Sequence, residues 1–197
     1  MSEQVVRIAI WGSGSGSNAQ SIINYFKIRA GVEVALIVSD QPEAYILKRA
    51  EQAGIPRIYL NAGQRKDASF LIQLMQDHRI SMVILAGYMR MVNPGFLKAF
   101  PGPVMNIHPS LLPAYGGKGM YGHFVHEAVL SAGEKVTGIT IHFVNEVYDE
   151  GEIIYQEKLE IDPSWDAEEL GKAVLKIEHR CYPEIIEKIA KKLPDNL

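Results

Sequence analysis

The chain has 197 residues, of which 47% are hydrophobic and 22% charged, with a formal net charge of −3. This length fits one globular domain with a substantial core, and the small negative charge argues against a general nucleic-acid binder. The single cysteine excludes an internal disulfide, and no apolar run approaches the roughly 20 residues of a membrane span. The N-terminus lacks a signal-peptide pattern. We therefore expect a cytoplasmic monomer or homodimer with no nucleic-acid or membrane partner.

The first half of the sequence alternates apolar runs with amphipathic segments. The apolar runs predict strands at 5–11, 32–39, 57–60 and 82–86. The amphipathic segments predict helices at 18–28, 43–53, 66–78 and 94–100. This alternation is typical of a parallel sheet with helices on both faces.

The second half predicts a different arrangement. A fifth strand is expected at 104–106, a helix at 123–132, an antiparallel hairpin from strands 136–144 and 153–161, and a terminal helix at 167–192 that Pro183 could kink. The predicted fold class is therefore α/β: a Rossmann-like, doubly wound, mostly parallel sheet with a C-terminal antiparallel hairpin and a long terminal helix. We expect one domain over residues 1–197, with a phosphate-binding half at about 1–100 and a catalytic half at about 101–197.

The segment 12–17 consists of glycine and serine only and lies between the first strand and the first helix. Backbone N–H groups in such a loop, together with a helix N-terminus, can bind a phosphate. The loop also satisfies a GxGxxA pattern, and Asp40 closes the second strand where a ribose-binding acid would lie in a dinucleotide fold. A nicotinamide-dependent oxidoreductase is therefore one alternative, and a tight turn that requires glycine is another.

An amide and an imidazole, Asn106 and His108, stand two residues apart at the end of the fifth strand. In an extended chain this spacing points both groups to one side, where they can stabilise an oxyanion and move a proton. This pattern favours acyl-type transfer. Asp149, in the connection of the hairpin, could pair with His108, raise the pKa of the imidazole and keep it charged near neutrality.

Three further features bear on the site. The loop 87–92 offers a tyrosine, two methionines and an arginine, which suit a flat heteroaromatic ligand or a hydrophobic plug. On the sixth strand, His142 beside Thr140 could support the site or simply pack. None of the histidines has metal-ligand spacing, so no metal is expected.

The block from Asn106 to Pro113, together with the block from Gly138 through Asp149 to Gly151, resembles the signature of the folate-dependent formyltransferases. The similarity extends over essentially the whole chain, including the segment 85–90 and Glu178 in the last helix. It implies transfer of the formyl group of 10-formyltetrahydrofolate to the amine of glycinamide ribonucleotide in purine synthesis. In this reaction the folate is a co-substrate, the partners are small molecules, and no metal takes part.

The resemblance also implies a role for each matching residue. It gives Asn106, His108 and Asp149 as the catalytic trio, in which Asn106 and a protonated His108 donate to the oxyanion. The residues implied for ribonucleotide binding are Gly16, Ser17, Asn18 and Glu178, and those implied for folate binding are Lys66, Met89, Arg90, Met91 and Val92 together with Asn106. Thr140 and His142 are supporting candidates.

The sequence departs from the family pattern at two loops. The glycine loop carries extra glycine and serine, and the segment 116–122 looks longer than usual. We hypothesise that Lys118, in this longer segment, closes over the ribonucleotide phosphate.

Other members of the family remain as alternatives. Methionyl-tRNA formyltransferase needs an additional C-terminal domain and a basic face, and formyltetrahydrofolate deformylase carries an N-terminal regulatory domain. A non-catalytic carrier would have no need of the Asn106 and His108 pair.

Overall fold

A computed structural model describes residues 5–194. Its strands are β1 (Val6–Trp11), β2 (Val32–Ser39), β3 (Arg57–Tyr59), β4 (Met82–Leu85), β5 (Val104–His108), β6 (Val136–Phe143) and β7 (Ile153–Glu160). Its helices are α1 (Ser17–Phe26), α2 (Tyr45–Gln52), α3 (Ala62–Lys66), α4 (Ala68–Asp77), α5 (Pro94–Ala99), α6 (His123–Ser131) and α7 (Ala167–Ala190).

The strands form one sheet in the order β3-β2-β1-β4-β5-β6-β7. The pairs from β3 to β5 are parallel, whereas β6 pairs antiparallel with both β5 and β7. This confirms the predicted fold class. The strand order reverses between β1 and β4, and ligands of such sheets bind in the crevice beyond the carboxyl ends of the strands at that point.

The two faces of the sheet are covered by separate apolar clusters. Ile8 and Ile10 of β1 belong to the cluster that includes buried residues of α1, α2, α6 and α7. Ala9 and Trp11, which point to the opposite face, pack with α4 and α5. Because alternate residues of β1 are buried on both sides, the strand reads as a continuous apolar run.

The terminal helix continues through Pro183. Proline has no N–H, so the carbonyl oxygen of His179, four residues earlier, loses its usual partner in the helix. The hydroxyl of Ser21 donates to that oxygen at 2.7 Å. This bond satisfies the carbonyl and ties α1 to α7.

The structure corrects two predicted boundaries. The helix expected at 66–78 is α4, which begins at Ala68 because the side chain of Asp67 caps it, and the short helix α3 before it, with a capping box of Asn61 and Gln64, was not expected. In addition, β5 extends to His108, so both Asn106 and His108 lie within the strand.

Among residues 5–194, none of the helices has the length and apolar character needed to cross a membrane.

Candidate active site

The antiparallel pairing of β5 with β6 brings the predicted polar residues together. Asn106 lies opposite His142, and His108 lies opposite Thr140. Directly opposed residues of an antiparallel pair present their side chains on the same face. The sheet register therefore places a cluster of four functional side chains at the end of β5.

The imidazole of His142 orients the amide of Asn106. His142 Nδ1 lies 2.8 Å from the carbonyl oxygen of Phe143, which can only accept, so Nδ1 carries a hydrogen. In the neutral ring Nε2 is then an acceptor, and Asn106 Nδ2 donates to it at 3.2 Å. One of the two amide hydrogens of Asn106 is used in this bond, and the other is left for a ligand.

His108 lies between two acceptors. Its Nε2 donates to the carbonyl oxygen of Tyr115 at 2.8 Å, and its Nδ1 lies 3.6 Å from Asp149 Oδ2. Burial lowers the pKa of His108, and although Asp149 and Tyr115 oppose this effect, the pKa stays below its ordinary value. The expectation that Asp149 keeps this ring charged near neutrality was therefore wrong, because the desolvation of a side chain that is only 4% exposed outweighs the nearby carboxylate.

Asp149 is held in position by a backbone amide of the loop that contains Gly117. Its φ of 57° lies in the left-handed region, and the amide of Gly117 donates to Oδ2 at 2.9 Å. Burial alone would raise the pKa of Asp149, but His142, His108 and the Gly117 amide outweigh it and lower that pKa. The group is therefore a carboxylate at neutral pH, with Oδ1 at 3.7 Å from His142 Nε2.

Thr140 binds the backbone of the segment that follows His108. Its hydroxyl donates to the carbonyl oxygen of Ser110 at 2.7 Å and accepts from the amide of Leu112 at 3.0 Å. Gln156, its neighbour on β7, donates to the same hydroxyl and to the Leu112 carbonyl. These bonds fix the chain that leaves His108.

The glycine loop owes part of its composition to packing. A Cβ at Gly16 would lie 2.7 Å from Ile46 Cβ, and the φ of Gly16 is +69°. A Cβ at Gly14 would meet no atom within 4 Å. The tight-turn interpretation therefore explains Gly16 but leaves Gly14 without a structural requirement.

The loop turns its carbonyl groups toward α2. The Gly14 carbonyl accepts from the amide of Ile46 at 3.1 Å, and the Ser15 carbonyl accepts from Arg49 Nε at 2.7 Å. In a trans peptide the following N–H points the opposite way, so the amides of residues 15 and 16 turn away from α2. Helix α1 begins at Ser17 without a side-chain cap, which leaves its first amides for an anion.

Asn18 and Glu178 meet where α1 approaches α7. Asn18 Nδ2 donates to Glu178 Oε2 at 2.7 Å. Burial raises the pKa of Glu178 to about 7, although the bond from Asn18 acts in the opposite direction. The buried Asn18 Oδ1 has no hydrogen-bond partner among residues 5–194.

A cavity of about 800 Å³ collects most of the predicted site residues. Those that line it are Asn18, Met89, Arg90, Met91, Val92, Asn106, His108, Lys118, His142, Asp149 and Glu178. Its lining, taken over the described residues, does not include Gly16, Ser17, Lys66 or Thr140. Lys66 ends α3, where its carbonyl accepts from Asn93 Nδ2 at 2.8 Å.

Asp40 does not serve as an open ribose-binding acid. Its side chain is fully buried, and its Oδ2 accepts from Arg90 Nε at 2.9 Å and from Gln41 Nε2 at 3.0 Å. A ribose hydroxyl could not reach a carboxylate that is 0% exposed. This pairing argues against the nicotinamide-dependent alternative.

Comparison with known proteins identifies the family of the chain. The sequence profile of the family described as formyl transferase matches residues 6–186. The chain belongs to the formyl transferase family. The phosphoribosylglycinamide formyltransferase of Bacillus subtilis is 36% identical over 190 residues, which are 93% of this chain and 94% of that protein.

The chloroplastic enzyme of the same name from Arabidopsis thaliana is also 36% identical, and the match covers 94% of this chain but only 65% of that relative. Two crystal structures share the fold. The phosphoribosylglycinamide formyltransferase of Bacillus halodurans has a TM-score of 0.85 at 38% identity, covering 96% of this chain and 98% of that chain. Glycinamide ribonucleotide transformylase 1 of Symbiobacterium toebii has a TM-score of 0.87 at 35% identity, covering 97% and 93%.

Three residues of this formyl transferase site have no counterpart in the sequence-based prediction. Tyr115 acts through its backbone carbonyl, which leaves no side-chain signal. Gln156 could have been found from the hairpin register, which sets it opposite Thr140. His126 of α6 lines the cavity with Nδ1 buried and unpartnered among the described residues, and it reads from sequence as a helix-packing residue.

Proposed function

We propose that this formyl transferase moves the formyl group of 10-formyltetrahydrofolate to the amine of glycinamide ribonucleotide, giving formylglycinamide ribonucleotide and tetrahydrofolate. The observation that carries the proposal is the joint presence of Asn106, His108 and Asp149 on one wall of a cavity of about 800 Å³. The names of the relatives that match most of the chain support the same substrates.

The cavity lining supports binding of two dissimilar substrates. Segments that follow β4 and β6 supply apolar side chains, among them Met89, Met91 and Val147, which suit a pterin ring. Helices α1 and α7 supply Asn18 and Glu178, which suit a ribose. We propose that the glycine loop holds the phosphate and that Lys118 adds a positive charge to it.

The chemistry requires one acyl transfer and one proton transfer. The amine nitrogen attacks the formyl carbon, and the carbonyl electrons move onto oxygen. We propose that the free amide hydrogen of Asn106 stabilises this oxyanion. The bond from carbon to N10 then breaks, and N10 gains the proton that the amine has lost.

His108 is suited to carry that proton. Its Nε2 hydrogen is engaged by the Tyr115 carbonyl, so Nδ1 is the nitrogen that can accept. Asp149, 3.6 Å from Nδ1, stabilises the cation once it forms. The lowered pKa of the resting ring fits this role, because a ring that starts neutral can take the proton from the amine and return it to N10.

Turnover of the purified protein tests the proposal. With 10-formyltetrahydrofolate, we expect tetrahydrofolate to form only when glycinamide ribonucleotide is present. The variants N106A and H108A should each lose about 10²-fold or more in kcat. The surface variant N24A is the matched control and should keep full activity.

Other outcomes would redirect the assignment. Turnover without the ribonucleotide would indicate a deformylase. A loss of only a few-fold in both N106A and H108A would contradict the proposed roles of these two residues.

A further inference from the structure

The fully buried carboxylate of Asp40 has no part in the reaction proposed above. It lies at the end of β2, and its side chain is 0% exposed, whereas its partner Arg90 is 52% exposed. Arg90 Nε and Gln41 Nε2 both donate to Oδ2. A buried charge is costly unless it is paired, so a group of this kind requires an explanation.

The contacts of Asp40 lead to the segment 87–92. Arg90 belongs to this segment and is bound directly. The hydroxyl of Ser13 lies beside the carboxylate, lowers its pKa together with Arg90 and Gln41 against the effect of burial, and accepts from the amide of Met89 at 2.9 Å. The amide of Ser13 also donates to the carbonyl of Gly87 at 2.9 Å.

We propose that Asp40 is a positioning residue for the folate. Through Arg90 and Ser13 it fixes the course of the segment 87–92, so that Met89, Met91 and Val92 already form one wall of the cavity before the folate binds. This inference rests on the proposed function, in which the pterin binds against that wall. A segment that is already ordered in the free protein loses less conformational entropy when the ligand binds.

The protein carries a reporter beside this segment. The ring of Trp11 meets the ring of Tyr88 edge to face, with centroids 5.4 Å apart. The chain has two tryptophans, Trp11 and Trp165. In a W165F background, the remaining fluorescence therefore reports on the position of the segment 87–92.

The experiment is a titration of W165F with 5-formyltetrahydrofolate, followed by the emission of Trp11. We expect D40N to weaken folate binding about tenfold, the effect of losing one charge-assisted hydrogen bond. R90Q should have a similar effect. The loss of affinity in the double variant D40N/R90Q should be smaller than the product of the two single losses, because both substitutions break the bond between Asp40 and Arg90. The KM for glycinamide ribonucleotide should stay within about twofold of wild type, since Asp40 is bonded to the folate side of the cavity.

The control is E33Q, which removes one charge from the exposed pair of Glu33 with Arg7 at the opposite end of β2. It should bind folate like the parent protein. If D40N fails to fold, S13A replaces it, because S13A keeps the buried ion pair and removes the bond to Met89. S13A should then weaken folate binding several-fold.

The outcomes separate the inference from the proposed function. Unchanged folate affinity in folded D40N, or in S13A, overturns the inference and leaves the proposed function intact. A loss of thermal stability with unchanged folate affinity has the same meaning, because it would make Asp40 purely structural. If the parent protein binds no folate, both proposals fail together.

Discussion

The protonation of His108 depends on a balance between burial and two acceptors. The ring is 4% exposed, and the removal of water favours its neutral form. The carboxylate of Asp149 and the carbonyl of Tyr115 favour the cation, but they do not outweigh burial. A base poised in this way can gain and lose a proton within one turnover.

Removing the charge of Asp149 tests this balance. In D149N the pKa of His108 should fall below its wild-type value, because the largest opposing contribution, the carboxylate at 3.6 Å, is gone. NMR titration of the imidazole Cε1–H measures the pKa directly, and H108N identifies the resonance. An unchanged or higher pKa in D149N would show that the carboxylate does not stabilise the charged ring.

The glycine loop and the start of α2 pack as one unit. The backbone of Gly14 bonds to Ile46, and the Cα of Gly16 faces the side chain of the same residue. We expect G16A to lower the free energy of unfolding by about 2–4 kcal/mol, because the alanine must adopt φ +69° and overlap Ile46. G14A should change it by about 0.5 kcal/mol or less, since that Cβ enters open space.

Chemical denaturation of the two variants measures this difference. The double variant G16A/I46G should show less than the sum of the two single losses, because glycine at position 46 removes Cβ and Cγ1, the two side-chain atoms that the new methyl group overlaps. Equal destabilisation by G16A and G14A would mean that the loop is not constrained by Ile46.

The accuracy of the sequence-based prediction differed from element to element. β2 was predicted residue for residue, because an apolar run between polar ends marks a strand buried on both faces. The helix expected at 66–78 is α4 with its start two residues early, whereas the short helix α3 was missed, because five residues carry too little periodicity to mark a helix. Strand ends near the site were also less certain, since the polar residues of a site interrupt the apolar pattern.

The candidate site shows the same limit. Asn106 and His108 could be predicted because their spacing along one strand fixes their direction. Asp149 could also be predicted as a partner of His108, because it lies in the connection of the hairpin that follows β5. The other partner, Tyr115, could not, since it acts through its backbone carbonyl. The pairing of Asp40 with Arg90 joins residues 50 positions apart, and no local pattern indicates it.

At the scale of the whole molecule, α7 binds the end of the chain to its beginning. Three hydrogen bonds join it to α1: Asn18 to Glu178, Ser21 to the carbonyl of His179, and Tyr25 to Glu187. The first of these lies in the cavity lining. The contact that closes the fold is therefore also part of the proposed ribonucleotide site, so the protonation of Glu178 should affect both stability and binding.

The contribution of Glu178 to stability should consequently fall as the pH rises from about 4.5 to about 7. The pKa of Glu178 is raised from 4.5 to about 7 by burial, so the folded state favours the protonated form. The contribution of Glu178 to the free energy of unfolding is fully present below about pH 4.5 and is lost as the pH rises to about 7. At about 1.4 kcal/mol per pKa unit, the loss reaches about 3 kcal/mol.

The variant E178Q isolates this effect, because glutamine stays neutral and its Oε1 can still accept from Asn18. The free energy of unfolding of E178Q minus that of wild type should be constant below about pH 4.5, rise up to about pH 7, and then level off about 3 kcal/mol above its value at low pH. Denaturant titrations from pH 4 to pH 8.5 measure the difference, from which the other titrating groups cancel. A difference that does not change with pH would mean that Glu178 is already ionised in the folded protein, with α7 bound to α1 through a charge.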